Sequence, residues 1–404
     1  MVVPLTYQPD APAALAGLRI LDLSRLVAGN AITHVMADHG AEVIKIERPG
    51  VGDDLRNWKT RGVSTHWKVY CRNKKSVTLD LRTARGRAIF LDLAATAQVF
   101  VENFKPGTLE EWGIGPAELH ARQPNLVIVR VSGWGQTGIY RHKPGFGSLI
   151  EAMSGFATSN GYADRPPVLP PVALADNIAG LYGAFAVMVA TRTIEVGGGG
   201  GQVIDVPIFD PIHSIIGPEA ANYKLTGEVP TRTGSRAQHT APRNVYATKD
   251  GRYVALSASM QAMAERLFRA IGKPELIDDP RFRTNSDRVA NNDQLDPIVA
   301  EFMAAHSQDE LLEIFDTANV TVGPVGDISQ LFDHPYINDR AIIVELPDDE
   351  MGAVPMHNVV PRLSETPGVI RTPAPDLGQH NAEIYADIGL GPDDLANLQK
   401  EGVM

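Results

Sequence analysis

Apolar positions in the first third of the chain fall into short runs separated by stretches with helical spacing. Residues 19–23 (R-I-L-D-L), 42–47 (E-V-I-K-I-E), 77–81, 98–102 and 126–131 (L-V-I-V-R-V) have strand length and strand composition. Between them, 30–39 and 83–97 carry the helical period; Gly40 stops the first helix and Thr83 caps the second. Helical segments are also expected within 109–120 and at 148–155. Strands alternating with helices can close a sheet only through crossovers, so the pattern predicts a parallel α/β sheet.

The stretch 170–195 (P-P-V-A-L-A-D-N-I-A-G-L-Y-G-A-F-A-V-M-V-A-T-R-T-I-E) organises the rest. After Asp176 it is apolar on every side, which predicts a helix packed inside the protein. Asp176 stands in its first turn, where two roles are open. It could be an N-cap accepting unpaired backbone N–H groups, or a nucleophile beside N–H groups able to stabilise an oxyanion. The glycine run 197–201 follows a helix and precedes the strand 202–206, so it reads as a helix end and turn rather than a phosphate loop. Residues 208–225 are helical. Past Thr226 the texture changes: strand-like 245–248 and 253–256 flank Lys249-Asp250-Gly251, and helices follow at 261–271, 286–305 and 307–318, the pattern of a smaller α+β domain. The expected division is 1–224, 225–329 and 330–404, where a Pro-rich segment with a short strand at 342–346 ends the chain.

A chain of 404 residues exceeds one ordinary core, in line with two domains. Its net charge of -11 and the absence of a basic run argue against a nucleic-acid partner. The opening residues lack a basic and an apolar region, so no secretory signal is expected. The run 179–190 is too short for a bilayer, so no membrane is expected. The single cysteine, Cys71, excludes an internal disulfide, suits a reducing cytoplasm and reads as inert. The histidines are scattered; His34 and His39 do not share a helix face, and no metal-ligand cluster is expected.

The first strand–helix–strand unit invites a dinucleotide reading, with Glu47 placed like a ribose-binding acid. Its turn, Leu26-Val27-Ala28-Gly29-Asn30, has one glycine where three are needed, which disfavours a nicotinamide or flavin enzyme. Basic residues follow several strands: Arg48; Arg72, Lys74 and Lys75; Lys105; Arg141 and Lys143. Ligands bind at the carboxyl ends of parallel strands, so a basic rim on an acidic protein points to a polyphosphate ligand.

Several segments together resemble a class III CoA-transferase of the CaiB/BaiF family: G-L-R-I-L-D-L-S-R-L-V-A-G, G-A-E-V-I-K-I-E-R-P-G-V-G-D, N-K-K-S-V-T-L-D-L, V-E-N-F-K-P-G-T-L, G-F-G-S-L-I-E-A-M-S-G, A-L-A-D-N-I-A-G, A-P-R-N-V-Y-A-T-K-D-G-R-Y-V and L-G-Q-H-N-A-E-I. The resemblance implies a Rossmann-like large domain built from both chain ends, a small inserted domain, and two ring-shaped chains interlocked as a homodimer. It implies coenzyme A or acyl-CoA as substrate, no permanent cofactor and no metal. Asp176 takes the place of the family's catalytic aspartate, forming an anhydride with the acyl group and then a thioester with CoA. The implied CoA contacts are Val27, Ala28, Arg48, Lys74, Asn103, Phe104 and Lys143.

Two departures stand out. An arginine found in some members after E-N-F-x-P-G corresponds to Glu111 here. The glycine-rich lid of some transferases reads G-S-R-A-Q-H-T-A-P, leaving Gly234, Arg236, His239 and Arg243 as lid or substrate candidates. Racemases of the same fold need a histidine where this chain has Phe146, which has no proton to exchange; that reading, like a non-catalytic CoA-binding protein, is the lesser alternative. Arg236 and Arg243, with His239, could hold the second carboxylate of a dicarboxylic acid.

Overall fold

The computed structural model of the chain describes residues 2–404. Its centre is a six-stranded parallel sheet of β1 (Arg19–Asp22), β2 (Glu42–Glu47), β3 (Lys74–Thr78), β4 (Val99–Glu102), β5 (Val127–Ser132) and β6 (Val203–Pro207). The spatial order is β3-β2-β1-β4-β5-β6, so the direction of winding reverses between β1 and β4. Alternate residues of β1, β2, β4 and β5 feed two cores. Leu21, Ile44, Phe100 and Ile128 pack with Phe90 and Leu93 of the helix Ala84–Ala94 on one face. Ile20, Val43, Val99 and Val127 pack on the other face with α1 (Ala28–Asp38). Coverage of both faces is why these strands read as continuous apolar runs.

β3 departs from expectation, starting at Lys74 rather than at residue 77. Its first residues pair with β2 from Val43↔Lys74 onward, but Lys74, Ser76 and Thr78 meet buried polar groups, so the apolar signal appears only at its end. A short helix, α2 (Thr65–Tyr70), precedes it and carries no sequence signal strong enough to predict it.

After β5 come α3 (Gly147–Met153) and α4 (Leu174–Gly197), the latter ending at Gly198 with φ +61°. The helix α4 corrects the expectation of burial on every side. Ala175, Ala179, Gly180, Gly183, Ala184, Val187 and Ala190 form one buried face. A Cβ at Gly180 would run into Ala31, and one at Gly183 into Ile32, so these glycines let α4 lie directly on α1. The opposite face is open: Phe185 is 68% and Leu181 61% exposed, with Tyr182, Met188 and Val189 beside them. Both faces are apolar, so hydropathy does not distinguish the small, buried residues from the large, exposed ones. The full helix has 24 residues, longer than the apolar run counted in the sequence and long enough by composition to cross a bilayer, and its small-residue face packs along α1.

Residues from 335 onward return to the sheet: His380 N–H donates to Ser76 O (2.9 Å), Tyr385 OH to Thr78 O (2.9 Å) and Asp80 N–H to Val403 O (2.8 Å). Contacts divide the chain into two units, one of the chain up to Phe156 with Leu169–Glu219 and Pro335–Met404, the other of Ala157–Val168 with Ala220–His334. Residues 157–168 were expected in the first block but belong with the smaller unit, where Arg232 donates to the carbonyls of Tyr162 (3.0 Å) and Arg165 (2.7 Å). That unit holds an antiparallel sheet of β7 (Arg243–Ala247), β8 (Tyr253–Ser257) and β9 (Val322–Pro324), with Leu256, Phe268, Leu295, Met303 and Phe315 in its core. The expected helix at 286–305 is two helices, Asn285–Ala290 and Asn292–Ala304, the first opened by a Thr284/Asp287 capping box.

Candidate active site

The reversal of winding opens a crevice between the loops after β1 and β4. Asn103 joins these loops: its Oδ1 accepts from Arg25 N–H (2.9 Å) and its Nδ2 donates to Arg25 O (2.7 Å). Leu26 takes a left-handed φ of +60°, and its N–H donates to Asp53 Oδ1 (2.9 Å), which fixes the turn. A Cβ at Gly29 would overlap Ser24, so the turn's one glycine brings α1 close to the end of β1. Beneath the turn lies a buried charge network. Asp22 is 3.2 Å from both Lys45 Nζ and Lys74 Nζ and accepts from Ser24 and Thr33 hydroxyls (2.6 Å each). Although burial opposes its charge, these two ammonium groups hold the Asp22 carboxyl well below the usual carboxylate range.

Three cavities adjoin at this crevice. The first, about 240 Å³, is walled by Arg25, Arg48, Leu79, Leu81, Phe104 and Trp112. The second, about 200 Å³, shares Arg25 and Phe104 with the first and is lined by Val27, Ala28, Asn103, Lys105, Arg141, Lys143, Phe146 and Asp176. The third, about 690 Å³, shares Leu26, Val27, Phe146 and Asp176 with the second and is lined by Trp58, His66, Tyr70, Gly147, Glu151 and Asn177. Asp176 therefore stands where a basic cleft meets a cavity with an aromatic wall.

Asp176 is not the helix cap. Ala173 holds that position without a side-chain cap, and Asp176 is the third residue of α4. Its carboxyl is raised to about 6, first by burial and then by the charge of Glu151. The seat for Asp176 comes from α3, where a Cβ at Gly147 would overlap the Asp176 carboxylate. Glu151, one turn further along α3, is 2% exposed, and its Oε1 accepts from Ala175 N–H at 3.1 Å. Gly133 and Gly145 bring the two glycine-rich loops into backbone contact, and Trp134 Nε1 donates to Pro144 O (3.0 Å), setting Lys143 and Phe146 at the mouth.

Val27, Ala28, Asn103, Phe104, Lys143 and Asp176 thus share one cavity, and Arg48 lies in the adjoining one. Lys74 is the correction. Its ammonium is fully buried and donates to Asp22, Thr33 (2.7 Å) and Asn30, so it neutralises the core rather than facing a cavity. Asn103, at the cavity wall, has both amide atoms engaged by Arg25. Glu111 is exposed on the helix Thr108–Glu111, and the neighbouring Trp112 reaches the cavity instead. Phe146 is 69% exposed beside Asp176. Cys71 is buried, and burial pushes its thiol up to about 12, so it is not an activated nucleophile.

The lid candidates lie in the smaller unit. Gly234 has φ +67°, and a Cβ there would overlap Tyr162. Arg236 pairs with Asp293 (2.6 Å), His239 O accepts from Asn285 Nδ2 (2.9 Å), and Arg243 is exposed on β7. Sequence reasoning missed Trp58, His66 and Tyr70, whose rings are close in space (Trp58–His66 centroids 5.2 Å, His66–Tyr70 6.5 Å) but arise from two unrelated elements. It also missed Glu151; the only hint was its spacing of four from Gly147.

Fold and site define a doubly wound parallel α/β protein with a half-buried carboxylate at its switch-point crevice. The chain belongs to CoA-transferase family III, whose model it matches over residues 15–381. It is an enzyme of that transferase family. It is 41% identical to a succinyl-CoA–D-citramalate CoA-transferase of Chloroflexus aurantiacus over 97% of this chain and 98% of that one. It is 30% identical to a succinate–glutarate CoA-transferase of Agrobacterium fabrum, over 95% of this chain and 98% of that one. A crystal structure of a CaiB/BaiF family protein from Brucella suis, 32% identical, superposes with a TM-score of 0.81, covering 93% of this chain and 99% of that one.

Proposed function

We propose that this chain moves CoA from an acyl-CoA donor, of the succinyl type, to a carboxylic acid, with Asp176 as the covalent carrier. The single observation that carries the reading is the place of Asp176, at the meeting point of a basic cleft and a separate cavity with an aromatic wall. CoA would lie along the crevice with its phosphates toward Arg48 and the basic rim and its thioester at Asp176. The names of the relatives support succinyl-CoA as donor and a four- or five-carbon diacid as acceptor.

In the first step an Asp176 oxygen attacks the thioester carbonyl. The C–S bond breaks and its electron pair leaves on the CoA sulfur, giving a mixed anhydride and a thiolate. The thiolate then attacks the Asp176 carbonyl, releasing the donor acid as carboxylate and leaving an aspartyl-CoA thioester. The acceptor carboxylate repeats the sequence in reverse, through a second anhydride, and Asp176 is restored. A carboxylate raised to about 6 is still mostly ionised at neutral pH and is more basic than an ordinary one, which suits this role.

The enzyme is proposed to act as a homodimer in the cytoplasm. The open apolar face of α4, continuous with a groove beside the edge strand β6, is the kind of surface a second copy covers. Intact-protein mass spectrometry after mixing with succinyl-CoA should show a CoA adduct mapping to Asp176, absent in Asp176→Ala. Full turnover by that variant, or wild-type turnover with the adduct on another residue, would end this reading.

A further inference from the structure

Glu151 is a buried carboxylate that the transfer chemistry above does not use. It sits one helical turn from Gly147, on the face of α3 that packs against the start of α4. Gly147, lacking a side chain, makes room for the Asp176 carboxylate; Glu151, on the same face, lines the same cavity as Asp176. The backbone N–H of Ala175, the residue before Asp176, donates to Glu151 Oε1 (3.1 Å), so Glu151 also ties down the turn that carries Asp176. The other titratable or charged groups around these cavities are Arg25, Lys105, Arg141 and Lys143 on the basic side and His66 and Tyr70 on the aromatic side. No ion pair joins any of them to Asp176 among the described residues, and Lys143 instead lies over the Tyr140 ring at 3.5 Å.

We propose that Glu151 is a positioning residue that holds the resting Asp176 carboxylate against a like charge, so that acylation, which removes the Asp176 charge, is favoured. This rests on the covalent role of Asp176 proposed above. When Asp176 attacks the thioester, its negative charge passes with the breaking C–S bond to the CoA sulfur. The sulfur leaves toward the basic cleft, away from Glu151. The repulsion that burial strengthens is thereby relieved in the anhydride and in the aspartyl-CoA thioester alike. The Asp176 carboxyl, raised first by burial and then by the Glu151 charge, agrees with this arrangement.

Glu151→Gln tests it, because glutamine keeps the acceptor for Ala175 N–H and removes only the charge. The midpoint of the rising limb of kcat/KM against pH should fall by roughly one unit, and the aspartyl-CoA adduct formed with succinyl-CoA alone should drop by roughly tenfold. The KM for succinyl-CoA should stay within about twofold, since Glu151 touches Asp176's turn rather than the basic cleft. Glu151→Ala, which also loses the hydrogen bond, should be worse in both readouts. If Glu151→Gln matches wild type in profile and adduct while only Glu151→Ala fails, Glu151 is a hydrogen-bonded strut and the charge proposal is overturned. Absence of any adduct in the wild-type enzyme would instead overturn the covalent role of Asp176 itself, so the two failures are distinguishable.

Discussion

Replacing Asp176 by asparagine should stabilise the protein at neutral pH, and by an amount that depends on pH. The Asp176 carboxyl has an ordinary value of 3.8 and is raised to about 6 in the folded protein. A group that holds its proton more tightly when folded than when unfolded makes folding less favourable as pH rises between those two values. Below 3.8 both states are protonated and the group has no effect; above about 6 both are ionised and the whole cost is present. A shift of about two units corresponds to ~3 kcal/mol, an upper figure because Asp176 is only half-buried.

By the same relation roughly 1 kcal/mol remains at about pH 4.5, so about 2 kcal/mol of the cost appears between there and about pH 7.5. Asparagine is nearly isosteric and does not titrate, so other buried groups cancel when the variant is compared with wild type. Urea unfolding of both proteins at the two pH values reads this directly: the variant's advantage should grow by about 1–2 kcal/mol from about pH 4.5 to about pH 7.5 while CoA transfer is lost. An advantage that is the same at both pH values would refute the claim that Asp176 is held in an unfavourable ionised state.

Arg48→Ala should raise the KM for acyl-CoA by roughly tenfold with kcat little changed, as steady-state kinetics would show; an unchanged KM removes Arg48 from the binding site. Lys74→Met leaves Asp22 with Lys45 as its remaining ammonium partner and should cost about 3–5 kcal/mol of stability, measured by denaturant unfolding, without a selective effect on KM. Gly183→Leu forces a side chain into Ile32 of α1 and should destabilise by at least ~1–3 kcal/mol, seen as a lower Tm. Phe185→Asp places a charge on the open face of α4; if that face is the proposed contact between copies, light scattering should show a smaller particle than wild type, and an unchanged particle mass would exclude it.

Much of this protein is decided locally. The alternation of apolar runs and helical spacing determined the parallel sheet, because strands buried on both faces need continuous apolar residues and the crossovers need helices. Residues 42–47 formed a strand with no change of boundary, and Gly40 and Thr83 punctuated helices as glycine and threonine do. Val27, Ala28, Asn103, Phe104 and Lys143 came to one crevice because the winding direction reverses there.

Other features follow from contacts between segments far apart in the chain, and no local pattern carries them. Lys74 reads as a basic loop residue until β3 pairs with β2 and sets its ammonium against Asp22, 52 positions earlier. The helix α4 reads as buried on all sides because composition does not tell the glycine face that meets α1 from the large-residue face left open. From its position in the chain Asp176 reads as either a cap or a nucleophile. Only the packing of α3 against α4, with an empty place at Gly147 and a second carboxylate at Glu151, makes its charge costly, since repulsion and desolvation depend on distance in space rather than distance along the chain.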